Sequence, residues 1–179
     1  MHFRNDTQKD GYMELGNTLI DDLEAGHVAF QPPGAVAQRI IDLAWTAGFF
    51  DGEACIHISK TQIPGRKNLT YRLVVSVTQN HLGSLKRVTR TLGVPHNVYD
   101  VRRSVGMNRD AYTLNICDQH AVRAMRLLLP YLSRKAPEAQ VAIDAYVKGK
   151  MNVHPGPKGH APEVWAAREK AYKKLRNMK

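Results

Sequence analysis

The chain has 179 residues, enough for one domain of ordinary size, and 43% of them are apolar, enough to bury a real core. No window nears the roughly 18 uninterrupted apolar residues of a membrane-spanning helix. Two cysteines, Cys55 and Cys117, show neither Cys-x-x-Cys nor Cys/His ligand spacing, which speaks against a disulfide scaffold and a structural zinc site. The net charge of +10 is unevenly placed: residues 1–53 hold three basic and nine acidic side chains, residues 54–135 fourteen and three, and residues 148–179 nine and two. A basic middle and tail beside an acidic head point to a polyanion, most commonly nucleic acid, with a merely solvated basic surface as the plain alternative.

Residues 1–33 read as an N-terminal extension. They open on Arg4, Asp6, Lys9 and Asp10 without the apolar run of a signal peptide, which fits an intracellular protein. Leu15, Leu19, Ile20 and Leu23 have the spacing of one short helix, ended at Gly26. Pro32-Pro33-Gly34 punctuates the chain, and Val36, Ile40, Leu43, Ala44, Ala47 and Gly48 then recur at helical spacing through Phe50. After Glu53 the period drops to two. Ile56 and Ile58 alternate with Cys55, His57, Ser59 and Thr61, and Leu73, Val75 and Val77 alternate with Arg72, Val74, Ser76 and Thr78 across a loop at Pro64–Asn68.

A helix carrying Leu82, Leu85, Val88 and Leu92 stops at Gly93 and Pro95. A second hairpin comes next, with strands near Asn97–Arg103 and Ala111–Cys117. Asp118 is then placed to cap a helix that ends at Pro130, and Ser133 to open another that runs to about Lys148. His154–His160 reads as a linker and Pro162–Met178 as a final basic helix, docked by Trp165, Ala166 and Tyr172, with Lys170, Lys173, Lys174 and Arg176 in water. The order α-β-β-α-β-β-α-α predicts an α+β domain over residues 34–150 whose antiparallel sheet is covered by helices on one face. Residues 151–179 would add the linker and the last helix.

The stretch Thr46-Ala47-Gly48-Phe49-Phe50-Asp51-Gly52-Glu53-Ala54 carries the chemistry. Ala44, Ala47, Gly48, Asp51 and Gly52 fall on one nearly bare helical face, where a second backbone can come close. Two carboxylates end the helix, where its dipole opposes them and a divalent cation would favour them. Here the sequence resembles the LAGLIDADG homing endonucleases, from roughly Ile40 to Lys148. Val75-Ser76-Val77-Thr78-Gln79 and Pro130-Tyr131-Leu132 with Lys135 look like the family's satellite motifs.

The resemblance implies a LAGLIDADG-like α+β fold with a saddle-shaped antiparallel sheet. It implies a site-specific double-strand DNA endonuclease that hydrolyses phosphodiesters with Mg2+ or another divalent cation, as a homodimer through the motif helices. The target would be a long near-palindromic site, cut across a minor groove to leave short 3′ overhangs. It casts Glu53, Gln79 and Lys135 as catalytic, Glu53 and the Gly52 carbonyl as metal contacts, and Asp51, Ala47 and Gly48 as the structural part of the motif. Thr46 stands for the usual first Leu and Ala54 for the usual last Gly.

Strand parity selects the groove-reading side chains: His57, Ser59 and Thr61; Thr70, Arg72, Val74 and Ser76; Tyr99, Val101 and Arg103; Ala111, Thr113 and Asn115. The third strand is ambiguous, because Val98 and Val101 fall on opposite faces. Arg66, Lys67 and Lys60 are expected on phosphates. Two rival readings stand beside the enzyme: a non-cleaving nucleic-acid binder on the same fold, such as an intron RNA maturase or DNA-binding regulator, and a basic module whose tail docks RNA or a protein.

Overall fold

The computed structural model describes residues 34–62, 64–65, 69–100, 111–154 and 159–178. By backbone proximity the chain divides into Met1–Val36 and Ala37–Lys179, and the second unit carries every described strand. The early Leu15–Leu23 helix, the 155–158 linker stretch and the expected site residues Arg66, Lys67, Val101 and Arg103 lie outside the described residues.

In chain order the elements are α1 (Ala35–Glu53), β1 (Ala54–Gln62), β2 (Leu69–Gln79), α2 (Leu82–Leu92), β3 (Asn97–Asp100), β4 (Tyr112–Cys117), α3 (Asp118–Leu128), a 3-10 turn (Leu129–Tyr131), α4 (Ala136–Lys148) and α5 (Pro162–Arg176). The strands form one antiparallel sheet in the order β1-β2-β4-β3. Ile56, Ile58, Leu73, Val75, Val77, Leu114 and Ile116 share one parity and are buried with Leu85 and Val88 of α2 and Met125 and Leu128 of α3. Alternation alone sets this: in a register of period two, all these apolar side chains reach the same layer or none does. No described helix is long and apolar enough to cross a membrane.

Helix α1 buries Leu43, Thr46, Ala47 and Phe50. Thr46, where an apolar residue would fit more simply, donates its hydroxyl to the Asp42 carbonyl at 2.7 Å, so the buried oxygen is paired. Trp45 stacks on Phe49 with ring centroids 5.3 Å apart, and the Arg87 guanidinium lies 4.1 Å from the Trp45 ring while pairing with Asp42 at 2.8 Å. Helix α1 is thereby fastened to α2.

Helix α2 is capped at both ends. The His81 ring accepts from the Ser84 N–H, and Gly93, at φ 58°, returns its N–H to the Thr89 carbonyl. A left-handed residue there favours glycine, so the stop legible at Gly93 has a steric cause.

Three local expectations need correction. Asp118 is not a cap. It is the first residue of α3, at φ 53°, and its carboxylate accepts from the Leu73 N–H (3.2 Å) and Arg72 Nε (3.1 Å), where the β2–β4 ladder runs out at Val74–Cys117. Helix α4 starts at Ala136 rather than Ser133: its opening bond runs from the Ala139 N–H to the Lys135 carbonyl, and the Ser133 and Lys135 N–H groups donate to the Asp51 carboxylate. On α5 the docked stripe is Val164, Arg168, Ala171 and Leu175, flanked by half-buried Trp165 and Tyr172, and Ala166 is exposed. Arg168 is buried because its Nη2 donates to the carbonyls of Lys150 (3.1 Å) and Val153 (3.0 Å), a polar anchor that apolar periodicity does not reveal.

Candidate functional site

The site grows from the junction at which α1 ends on Glu53 and β1 begins on Ala54 with no intervening loop. The register pairs Ala54 with Val77, so Gln79, the half-buried last residue of β2, lies at the same end of the sheet as Glu53. Asp51 draws in the segment before α4. Its carboxylate accepts from the N–H of Ser133 (2.7 Å) and of Lys135 (2.8 Å), and its carbonyl from Arg134 Nε (3.0 Å). Lys135, 7% exposed, is the residue just before α4, and among the described residues no carboxylate pairs with its ammonium.

Burial of Asp51 favours its neutral form, but the N–H donors of Lys135, Ser133 and Arg134 and the Arg134 charge prevail. They hold the carboxyl below the usual carboxylate range. A depressed carboxyl contributes stability that is complete at neutral pH and lost as the pH falls through its folded value. Asp51→Asn is therefore expected to cost about 1–3 kcal/mol at neutral pH, the worth of hydrogen bonds to a charged group. The gap to the parent should close below the carboxylate range. Urea unfolding across that range checks it, and a gap independent of pH would mean the charge is not the source.

Glu53 differs from Asp51. It is exposed, and among the described residues no hydrogen-bond donor or cation pairs with it. The bare helical face divides in the structure: Ala47 is 0% exposed and points into the core, and Asp51 turns toward Ser133 and Lys135, whereas Ala44, Gly48 and Gly52 are exposed in line with Ile40 (48%). A Cβ built on Gly48 or Gly52 meets nothing within 4 Å. Each interior helical glycine costs about 1 kcal/mol relative to alanine, and nothing in the chain's own packing requires it.

On the face opposite the core, the register aligns His57 with Val74, Ser59 with Arg72, Thr61 with Thr70, Ser76 with Asn115, and Tyr99 with Thr113. Several of these groups bond to one another: Ser59 with Thr61 (3.2 Å), Thr78 with Thr113 (2.8 Å), Asn115 Nδ2 to the Tyr99 hydroxyl (2.7 Å), and Cys55 Sγ with His57 Nδ1 (3.7 Å). Thr113 is buried, and Arg72 shares its charge with Asp118, whereas Thr70, Ser76 and Asn115 are half-buried. Val74 is buried and Ala111 half-buried.

Lys60 is a correction. It has the parity of Ile56 and Ile58, and its ammonium pairs with Glu169 of α5 at 2.8 Å on the helical side, so it does not join the polar face. Thr78, which has the parity of Arg72 and Ser76, joins that face by its bond to Thr113, and Asn97, which shares the parity of Tyr99, by pairing with Asn115. The β3–β4 register resolves the ambiguous parity of the third strand, with Asn97 and Tyr99 on the polar face.

A four-stranded antiparallel sheet with a polar open face, covered on the other by helices and entered from a glycine-faced helix ending in an acid, is the fold of the LAGLIDADG homing endonucleases. Three structures of that kind stand out. The homing endonuclease I-CvuI in complex with the I-CreI target superposes with TM-score 0.62 at 19% identity, covering 79% of this chain and 84% of that one. The archaeal intron-encoded homing endonuclease I-Vdi141I, bound to DNA, gives 0.58 at 14% identity, covering 78% and 85%. The LAGLIDADG homing endonuclease I-GzeII with its DNA target gives 0.54 at 12% identity, covering 75% of this chain and 43% of that one. No protein-family model and no curated protein sequence matches the chain.

Proposed function

We propose that this protein is a site-specific double-strand DNA endonuclease that works as a homodimer on a long, near-palindromic target and hydrolyses phosphodiester bonds with a divalent cation. The observation that carries the reading is Glu53: an exposed carboxylate without a partner among the described residues, at the end of a helix whose open face is kept clear of side chains.

The donor set fits a cation shared between two copies. Among the described residues no three His, Cys, Asp or Glu side chains of one chain gather into a metal site. One Glu53 carboxylate and the Gly52 carbonyl are too few for a hard cation, which takes about six oxygen ligands, but DNA phosphates and a second Glu53 bring further oxygen. When bound, Mg2+ or a similar ion supplies Lewis-acid stabilisation of the charge that builds on the phosphate and lowers the pKa of an attacking water.

The chain's own residues do the rest. Asp51 ties the end of α1 to the segment before α4 and so fixes the directions of Glu53 and Lys135. Gln79 and Lys135 stand at the same end of the sheet, with groups that can order water beside a phosphate. Open packing at Gly48 and Gly52 lets a second α1 approach closely, and a twofold axis between the helices sets one Glu53 beside each strand to be cut. His57, Ser59, Thr61, Thr70, Arg72, Ser76, Tyr99, Thr113 and Asn115 line the face that lies in the major groove, and Arg66, Lys67 and Arg103 are further DNA contacts.

The test is cleavage selection: purified protein is incubated with a supercoiled plasmid library and MgCl2, and linearised molecules are sequenced. Linear product with one recurrent long site is the expected result. Binding without any linear product at any magnesium concentration would replace the enzyme with the non-cleaving binder.

A further inference from the structure

We propose that Arg176, at the C-terminal end of α5, contacts a DNA phosphate and carries the nucleic-acid interface past the outer edge of the sheet. The inference rests on the DNA-binding function proposed for the chain and adds a surface that the strand parities do not contain.

Strand β1 is an edge strand, and its own lysine is lost to DNA: Lys60 is held on the helical side by Glu169, which also takes the Tyr71 hydroxyl. Those donors keep Glu169 below the usual carboxylate range, so it is ionised opposite Lys60 at neutral pH. A duplex lying along β1 needs a cation from elsewhere.

The basic side chains of α5 are not equivalent. Arg168 is buried on two carbonyls. Lys173 sits 3.8 Å from Glu169. Lys170 and Lys174 line a hollow against α4 with Asp144 and Lys148. Arg176 alone of the five lines a cavity of about 320 Å³ with Cys55 and His57, side chains of the polar face. Ile58, Tyr172 and Leu175 complete that cavity.

The base of Arg176 is anchored by its neighbours. Leu175 is 1% exposed in the core, and Nη1 donates to the Tyr172 hydroxyl at 3.3 Å, with the guanidinium carbon 6.0 Å from that ring. Among the described residues no carboxylate pairs with Arg176, so the rest of its planar donor fork is available to a phosphate.

The experiment uses the full-length protein and a labelled mixed-sequence duplex of about 30 bp, with binding measured from about 50 to 200 mM salt. Arg176→Ala is expected to bind about fivefold more weakly at low salt, with a log-log salt slope shallower by about 0.9 per protomer, the signature of one lost phosphate contact. Arg176→Lys, which keeps the charge, should retain most of the slope. Saturating duplex should slow alkylation of Cys55 by iodoacetamide, read on its own peptide apart from that of Cys117.

An Arg176→Ala protein that melts like the parent and keeps the parent slope overturns the proposal, as does Cys55 alkylation indifferent to bound DNA. A parent protein that binds no duplex at any salt is a different failure, because it removes the DNA-binding function itself.

Discussion

Glu53→Gln should bind its target as tightly as the parent and cleave it at least about a thousandfold more slowly. The substitution keeps size and hydrogen-bonding reach and removes one negative charge. Since Glu53 is exposed and no described residue pairs with it, folding has little to lose, about 0.5 kcal/mol either way for such a surface change. Cleavage has much to lose. Charge stabilisation by a metal ion is worth several kcal/mol, and each 1.36 kcal/mol is tenfold in rate. Single-turnover cleavage beside gel-shift titration in calcium separates the two effects. If binding and cleavage fall together, or the variant fails to fold, the carboxylate belongs to the structure and not to the chemistry.

Gly48→Leu should give a folded monomer without activity. Within the chain a Cβ at position 48 meets nothing within 4 Å, and helix α1 gains up to about 1 kcal/mol of helical propensity. In a twofold interface the same side chain appears twice, where two backbones need to approach. Overpacking of about 1–3 kcal/mol per copy then becomes about 2–6 kcal/mol per dimer, which is at least about thirtyfold in dissociation constant. Sedimentation velocity reads the assembly and thermal melting the fold. A variant that still sediments as the parent dimer would remove the α1 face from the interface. A variant that melts far below the parent would show that Gly48 serves its own chain instead.

The two variants probe different residues because the motif separates its tasks in space. Phe50 and Ala47 point inward and hold α1 on the sheet, Gly48 and Gly52 point outward, Asp51 reaches sideways to the Ser133–Lys135 turn, and Glu53 projects from the helix end. On a helical wheel Ala47 and Asp51 look like members of the glycine face. The difference is set by which neighbours each side chain meets, namely the core for Ala47 and two backbone N–H groups for Asp51.

Much of this architecture was legible in the residues. Period-two alternation in β1, β2 and β4 assigned the core and polar faces, and Leu85, Val88 and Leu92 before Gly93 marked α2 and its end, because both signals are local and repeat along the chain. What stayed hidden depended on partners distant in sequence. Lys60 looked free until Glu169, 109 residues later, came beside it. Asp118 looked like a cap until the amide of Leu73 claimed it. Arg168 went unremarked among the helical residues, and only the fold brings two carbonyls of the preceding loop onto it.

The sequence by itself determined the order of elements, the parity of three strands and the glycine-and-acid motif at the end of α1, since these arise from periods and side-chain sizes along one segment. Tertiary structure alone decided which charges remain available to a polyanion. A charge is spent or spared by its neighbour across space: Glu169 neutralises Lys60, Asp118 shares Arg72, and Arg176 stands at the cavity beside Cys55 and His57 with no described carboxylate against it.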